Sequence, residues 1–205
     1  MLMTLKAVIF DVGGVLIRTQ SRAGREKWAA RLGLDPREFE TFVFSGESGR
    51  QAQLGKKTSA AHWRWLGDYF QLAEPELTEL RRDFFAGDVL DKTLVAYIQR
   101  LRQAGYRTGL LSNFWDVARR LWVEVYPLIH FFDGVVISSE VGLMKPDPRI
   151  YHLAAESVGV APTEALFIDD FIQNIEGAKA VGMQTIHFTN PEAARREIAE
   201  MTGVA

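Results

Sequence analysis

The sequence contains no cysteine. A disulfide framework and thiolate metal sites are therefore excluded. No charge of one sign dominates: 24 basic residues stand against 26 acidic ones, for a formal charge of −2. That balance lacks the electrostatic footprint of a nucleic-acid-binding protein and gives no reason to expect attachment to anionic lipid. There is no long hydrophobic run either. The first apolar stretch, from Ala7 to Phe10, has a strand's length and stops at Asp11. A membrane span needs about 20 apolar residues, and a secretory signal needs a basic start, a longer apolar run and a small-residue cleavage site. The expectation is a cytoplasmic protein with neither nucleic acid nor membrane as partner. Internal repeats and low-complexity segments are absent.

What is present is an ordinary globular composition. Of 205 residues, 47% are hydrophobic and 24% charged, enough for one domain, or one with a large insertion. Short β-rich runs recur at residues 6–10 (KAVIF), 107–111 (RTGLL), 134–137 (GVVI), 165–168 (ALFI) and 184–188 (QTIHF). Continuous apolar runs of this length suit strands buried on both faces, as in a parallel sheet. Between the later runs, apolar residues at 94, 95, 98 and 101, and at 172, 175, 178 and 181, carry helical spacing. Alternating β and α units predict a doubly wound, Rossmann-like parallel α/β sheet.

Residues 16–87 break the alternation with helical patterns and no strand. Trp28 with Leu32, then Phe39, Phe42 and Val43, then Trp63, Leu66 and Phe70, then Leu77, Leu80 and Phe84 define four helices. Thr58 and Ser59 are cap candidates for the third. The expected organisation is a core of residues 1–15 and 88–205 with a helical bundle, 16–87, lying over the sheet. The aromatic residues of that bundle read as core packing. The tail reads as a surface helix capped by Asn190, with Pro191 at its first position.

In open α/β sheets, ligands bind beyond the carboxyl ends of the strands. Those ends hold Asp11, Ser112 with Asn113, Lys145 in the loop after the third strand, and Asp169 with Asp170. A carboxylate can serve as nucleophile through an aspartyl-phosphate. Hard Mg2+ accepts carboxylate oxygens together with phosphate, and a lysine and a hydroxyl can hold remaining phosphate oxygens. Gly13 and Gly14 free the chain for a sharp turn after Asp11, where successive N–H groups can form an anion nest.

Four motifs stand in order: FDVGGVL at 10–16, LLSN at 110–113, SSEVGLMKPDP at 138–148 and FIDDFIQNIEGA at 167–178. Together they resemble the haloacid dehalogenase superfamily, in its branch with a helical cap inserted after the first strand. The resemblance runs from Leu5 to Phe188. It implies Asp11 as nucleophile, Ser112 as the phosphate-binding hydroxyl with Asn113 beside it, and Lys145 as the lysine neutralising nucleophile and phosphate. It implies phosphate contact at Val12 and Gly13, and Mg2+ at Asp11, the Gly13 carbonyl and Asp170, with Asp169 supporting the metal or the lysine. Asn174 matches a position that hydrogen-bonds around this site. The departure is Gly13 itself, where the family's usual pattern has a second Asp acting as general acid and base. A branch written D-x-G-[GN]-V, which includes sugar-phosphate phosphatases, resembles the chain here.

Each residue also has a plainer reading. Asp11 before Gly-Gly is a common turn. Ser112 and Asn113 could cap a helix starting near Trp115, and Asp169 and Asp170 one starting near Phe171. Lys145 alone reads as a loop lysine. His62, His130, His152 and His187 match no ligand spacing, and His187 reads as structural. Arg18, Arg22 and Arg25 read as a solvated helix face, with Arg18 a candidate specificity residue at the junction with the cap. The motifs taken together favour a Mg2+-dependent phosphatase acting on a small phosphorylated metabolite, sugar phosphates included. The alternatives are a metal-free 2-haloacid dehalogenase, against which the retained Asp169–Asp170 pair argues, and a weakly catalytic phosphate-binding or regulatory module suggested by Gly13. Oligomeric state is left open.

Overall fold

The computed structural model describes residues 5–205, so the first four residues of the expected core segment lie outside the described residues. The elements in chain order are β1 (Ala7–Phe10), β2 (Ile17–Thr19), α1 (Ala23–Leu32), α2 (Pro36–Ser45), α3 (Glu47–Gln53), α4 (Ser59–Tyr69) and α5 (Glu74–Phe85). Then follow β3 (Asp88–Leu90), α6 (Lys92–Gln103), β4 (Arg107–Ser112), α7 (Ala118–Glu124), β5 (Gly134–Ile137), α8 (Ser138–Val141), α9 (Pro148–Ser157), β6 (Ala165–Asp169), α10 (Ile172–Ala180), β7 (Gln184–His187) and α11 (Pro191–Thr202).

Five strands form one parallel sheet in the order β5-β4-β1-β6-β7. This is the doubly wound α/β arrangement that the alternation predicts. The order reverses at β1, so Asp11 leaves the sheet at its topological switch point. The apolar runs are continuous because both faces are covered. Val8 and Phe10 face one core cluster with Leu110, Leu166 and Ile168, closed by α6, α7 and α11. Ala7 and Ile9 face the other with Leu111, Val136 and Phe167, closed by α9 and α10. A third cluster, of Trp28, Phe39, Val43, Trp63, Leu66, Leu80 and Phe84, unites α1, α2, α4 and α5 as a helical cap. Trp115 and Phe114, from the segment after β4, reach into it.

The helix starts follow local chemistry. Thr58 accepts from the Ala61 N–H, Asp91 from that of Leu94, and Asn190 from that of Ala193, each ahead of its helix. No helix among the described residues is long and apolar enough to cross a membrane.

Several expectations are corrected. The segment 16–87 has five helices, not four; α3 (ESGRQAQ) buries Ser48, Gly49, Ala52 and Gln53, a set with no apolar stripe to read. The segment also has a strand: β2 pairs antiparallel with β3, Thr19 opposite Asp88. The helix expected near Trp115 begins at Ala118 and takes no side-chain cap, because Trp115 is buried against the cap aromatics His62 and Trp63. Arg25 is not solvated. It is 6% exposed and donates from Nε to the Phe84 carbonyl (2.9 Å) and from Nη2 to Asp88 (2.8 Å).

The β2–β3 ribbon ties together the two passages between sheet and cap. Thr19 Oγ1 donates to Asp88 at 2.6 Å, and the Gln20 N–H to the Gly87 carbonyl at 2.8 Å. The strands approach so closely that a Cβ on Gly87 would lie 1.8 Å from the Ser21 carbonyl oxygen. Gly87→Ala is therefore expected to lower stability by about 1–3 kcal/mol, read as a fall in the urea midpoint at unchanged m-value. An unchanged midpoint would show that the two passages separate at little cost.

Candidate active site

Parallel register brings the strand-end residues together. Phe10 stands opposite Leu110 on one side and Ile168 on the other. Asp11 therefore emerges between Leu111 and Asp169, its N–H donating to the Ile168 carbonyl at 2.9 Å. Ser112, 2% exposed, closes β4 opposite Ile137.

Lys145 is buried in the middle of this group. Its Nζ lies 2.8 Å from Asp11 Oδ1 and 2.6 Å from Asp169 Oδ2, and donates to the Leu111 carbonyl at 3.2 Å. Burial works against the ammonium charge, but the two carboxylates outweigh it and hold the lysine above its ordinary range. The loop that carries Lys145 is fixed by Asn113. Asn113 Nδ2 donates to the Lys145 carbonyl (3.0 Å), and Asn113 Oδ1 accepts the Lys145 N–H (2.8 Å). Its side chain is thus a strut for the lysine and not a helix cap.

Asp169, with no exposed surface, is fully engaged by protein donors. Oδ1 accepts from the Phe171 N–H (2.8 Å) and from Asn174 Nδ2 (2.9 Å); Oδ2 accepts from Asn174 (3.0 Å) and Lys145. Tyr151 donates to the Asn174 carbonyl at 2.8 Å. It also packs on Gly177, where a Cβ would sit 2.8 Å from the Tyr151 hydroxyl. Tyr151 and Gly177 were not singled out by sequence reasoning. Tyr151 reads as core, and nothing in its spacing tells that its hydroxyl braces the asparagine behind Asp169.

Asp170 is different. Its Oδ1 is buried without any hydrogen-bond partner. Oxygens of Asp11, Asp169 and Asp170 lie within 4.8 Å of one another. Three carboxylates thus surround one ammonium. Burial raises the pKa of Asp11 well above the carboxylate range; Lys145 opposes this, and Asp169 and Asp170 add to it. Burial, then Asp169, push Asp170 up to about 6. An orphaned carboxylate oxygen and surplus buried negative charge suit a cation, and an all-oxygen donor set suits a hard one such as Mg2+. Because Asp169 is occupied by Lys145, Asn174 and Phe171, Asp11 and Asp170 are the carboxylates left to hold it.

The two glycines after Asp11 play different parts. Gly14 has φ +78°, and a Cβ there would fall 2.1 Å from Asp170 Oδ2. The Gly14 N–H donates to the Ile17 carbonyl, while the Val12 carbonyl accepts from Leu16 and Ile17. Gly13 is exposed, lies outside the positive-φ set, and has no heavy atom within 4 Å of a Cβ position. Arg18 is ion-paired with Asp91 at 2.9 Å, beside the ribbon. Of the four histidines, His62 is fully buried in the cap with Nδ1 3.0 Å from Ser48 Oγ; burial holds it neutral, at about 4. His187 lies with Nε2 3.0 Å from the Asp170 carbonyl.

The description "haloacid dehalogenase-like hydrolase" belongs to a family model that matches residues 5–182. The bifunctional epoxide hydrolase 2 of Sus scrofa is 30% identical over 98% of this chain, which spans only 40% of that protein's length. A sesquiterpene phosphatase of Aspergillus oryzae is 25% identical over 98% of both chains. In fold, the chain is similar to a HAD-family enzyme of Bacteroides thetaiotaomicron solved with magnesium and inorganic phosphate (TM-score 0.73, 24% identity, 90% of this chain and 94% of that one). Matched over most of its length, with the lysine and acids of the matched motifs gathered at one end of the sheet, this chain belongs to the haloacid dehalogenase-like hydrolases.

Proposed function

We propose that the chain is a phosphatase that hydrolyses a small phosphorylated metabolite through an aspartyl-phosphate on Asp11, with Mg2+ as cofactor. The observation that carries this is the buried Lys145, clamped between Asp11 and Asp169 while Asp170 Oδ1 is left without a partner. A metal-free dehalogenase has no use for that spare carboxylate, whereas a divalent cation that also neutralises phosphate does.

Asp11 is the nucleophile. Its carboxylate oxygen bonds to phosphorus as the bond from phosphorus to the ester oxygen breaks. Water then attacks the phosphorus of the aspartyl-phosphate, releasing inorganic phosphate and restoring Asp11. Lys145 offsets charge on Asp11 and on the phosphate oxygens. The Ser112 hydroxyl and the backbone of Val12, Gly13 and Asn113 contact the phosphate. Asp11, the Gly13 carbonyl and Asp170 would hold Mg2+, which would supply further neutralisation of phosphate charge. Asp169 and Asn174 orient the lysine. The helices of residues 16–87 form the cap, hinged at the β2–β3 ribbon, that shuts out water and selects the substrate; Arg18 stands at that junction.

Two measurements test this. Phosphate release over a metabolite panel, with and without Mg2+ and with a haloacid as control, should show Mg2+-dependent phosphate release and no halide release. Asp11→Asn should lower that release by at least about 10³-fold. In calorimetry, Asp170→Asn should weaken Mg2+ binding by more than about tenfold, since even supporting residues of metal sites cost 10–100-fold. Phosphate release untouched by chelation would refute the metal assignment, and halide release would favour the dehalogenase.

Gly13 sets the second expectation. Neither Gly13 nor the occupied Lys145 and Asp169 can protonate a departing oxygen. The rate should therefore depend steeply on leaving-group pKa, with aryl and anomeric phosphates outrunning simple alkyl phosphates. Gly13→Asp fits the open space and the backbone there, and should speed the poor esters by up to about 10²-fold, the lower end of general acid catalysis. A flat series with chemistry rate-limiting would mean that another proton donor serves the site.

A further inference from the structure

A cleft of about 420 Å³, whose described lining includes none of the strand-end acids, lies between cap helices α4 and α5 on one side and the segment from Phe114 to α7 on the other. Its walls are aromatic: Trp63 and Phe85 from the cap, Phe114 and Trp115 from the core. Its rim is basic. Arg81 and Arg120 are exposed and form no salt bridge among the described residues, and the Arg81 guanidinium lies 5.8 Å from the centre of the Trp63 ring. The third rim arginine, Arg82, is already paired with Asp83 at 2.9 Å. Among the described residues, no acidic side chain lines the cleft. Asp116 stands nearby but accepts the Ser59 N–H at 2.9 Å.

We propose that this cleft is a second binding site, for an amphipathic anion: an apolar chain or ring seated on the aromatic walls, with a carboxylate or phosphate head between Arg81 and Arg120. The volume falls in the range of small-molecule sites, and an apolar pocket with a few converging charges is their usual make-up. An arginine already stacked over an aromatic ring keeps its N–H fork free for an anionic head. An occupant contacts both the cap and the segment that directly follows Ser112 and Asn113, and so bridges the two parts of the molecule.

Calorimetry on the full chain separates the contributions, using decanoate, decanol, acetate and inorganic phosphate as probes. Decanoate should bind, and decanol, acetate and inorganic phosphate, each lacking either the head or the apolar part, should compete at least about tenfold more weakly. Arg81→Gln combined with Arg120→Gln should weaken decanoate binding roughly tenfold, the worth of two screened charge pairs, and leave basal phosphate release unchanged. Decanol binding as tightly as decanoate would overturn the role of the arginines. Acetate binding as tightly would overturn that of the aromatic walls. Unchanged decanoate affinity in the double variant, or displacement of decanoate by inorganic phosphate binding as tightly as decanoate itself, would place the ligand elsewhere and overturn the site. A phosphate-headed probe, decyl phosphonate, distinguishes the two heads by its affinity relative to decanoate.

Discussion

The ammonium of Lys145, buried between two carboxylates, is the interaction on which sheet and site both depend. Removing one ammonium and two carboxylates from water costs several kcal/mol per ion, and only close, well-aligned contacts offset it. The contacts come from four neighbouring strands. Asp11 follows β1, Asp169 ends β6, the Leu111 carbonyl and Asn113 come from β4, and the lysine itself rides on the chain that leaves β5. A register slip of one residue in β1 or β6 would turn a carboxylate to the wrong face of the sheet and leave a buried charge unpaired. The sheet's hydrophobic pattern and the site's electrostatics therefore demand the same register, and neither is satisfied without the other.

That agreement explains why so much was legible in the sequence. The strand runs could be read because each strand residue is buried on one face or the other, as the split of Ala7 and Ile9 from Val8 and Phe10 shows. The acids and the lysine could be read because strand ends are where parallel sheets place their chemistry. What escaped reading is what depends on distant partners or on the absence of a side chain. β2 and β3 have three half-buried or exposed residues each and exist because Thr19 meets Asp88 across 69 positions. α3 is held by close backbone approach: a Cβ on Gly49 would come within 2.3 Å of the Val43 carbonyl oxygen. Arg25 carries the same charge pattern as its exposed neighbour Arg22, and distant partners, the Phe84 carbonyl and Asp88, 59 and 63 positions away, bury it. Asn113 likewise looks like a helix cap until the loop at Lys145 folds back onto it, 32 positions on.

Charge balance links the lysine to the metal reading. One ammonium compensates one of three clustered carboxylates, and Asp169 takes further hydrogen bonds from Asn174 and Phe171. The donors are thus concentrated on Asp169 and leave Asp170 short of them. Asp11 and Asp170 are both pushed toward protonation by burial and by the neighbouring acids. On the proposed phosphatase reading, a divalent cation held between them would remove the repulsion and restore Asp11 to the ionised form a nucleophile requires. Cofactor binding and activation of the nucleophile would then be a single electrostatic event.

The two adjacent glycines show where folding stops explaining this site and chemistry begins. Gly14 is dictated by the fold: its backbone is left-handed, and a side chain would collide with the carboxylate of Asp170. Gly13, one residue closer to the nucleophile, meets neither constraint, since its backbone suits any residue and the space around it is open. Nothing in the packing forbids a side chain there. The open volume lies two residues from Asp11, and on the proposed reading it would be available to the leaving group, or to the water that later attacks phosphorus. An acidic side chain at Gly13 would exchange that room for a proton donor, so on the proposed reading the glycine would set the balance between the bulk of the substrate the site admits and the acid assistance it can offer.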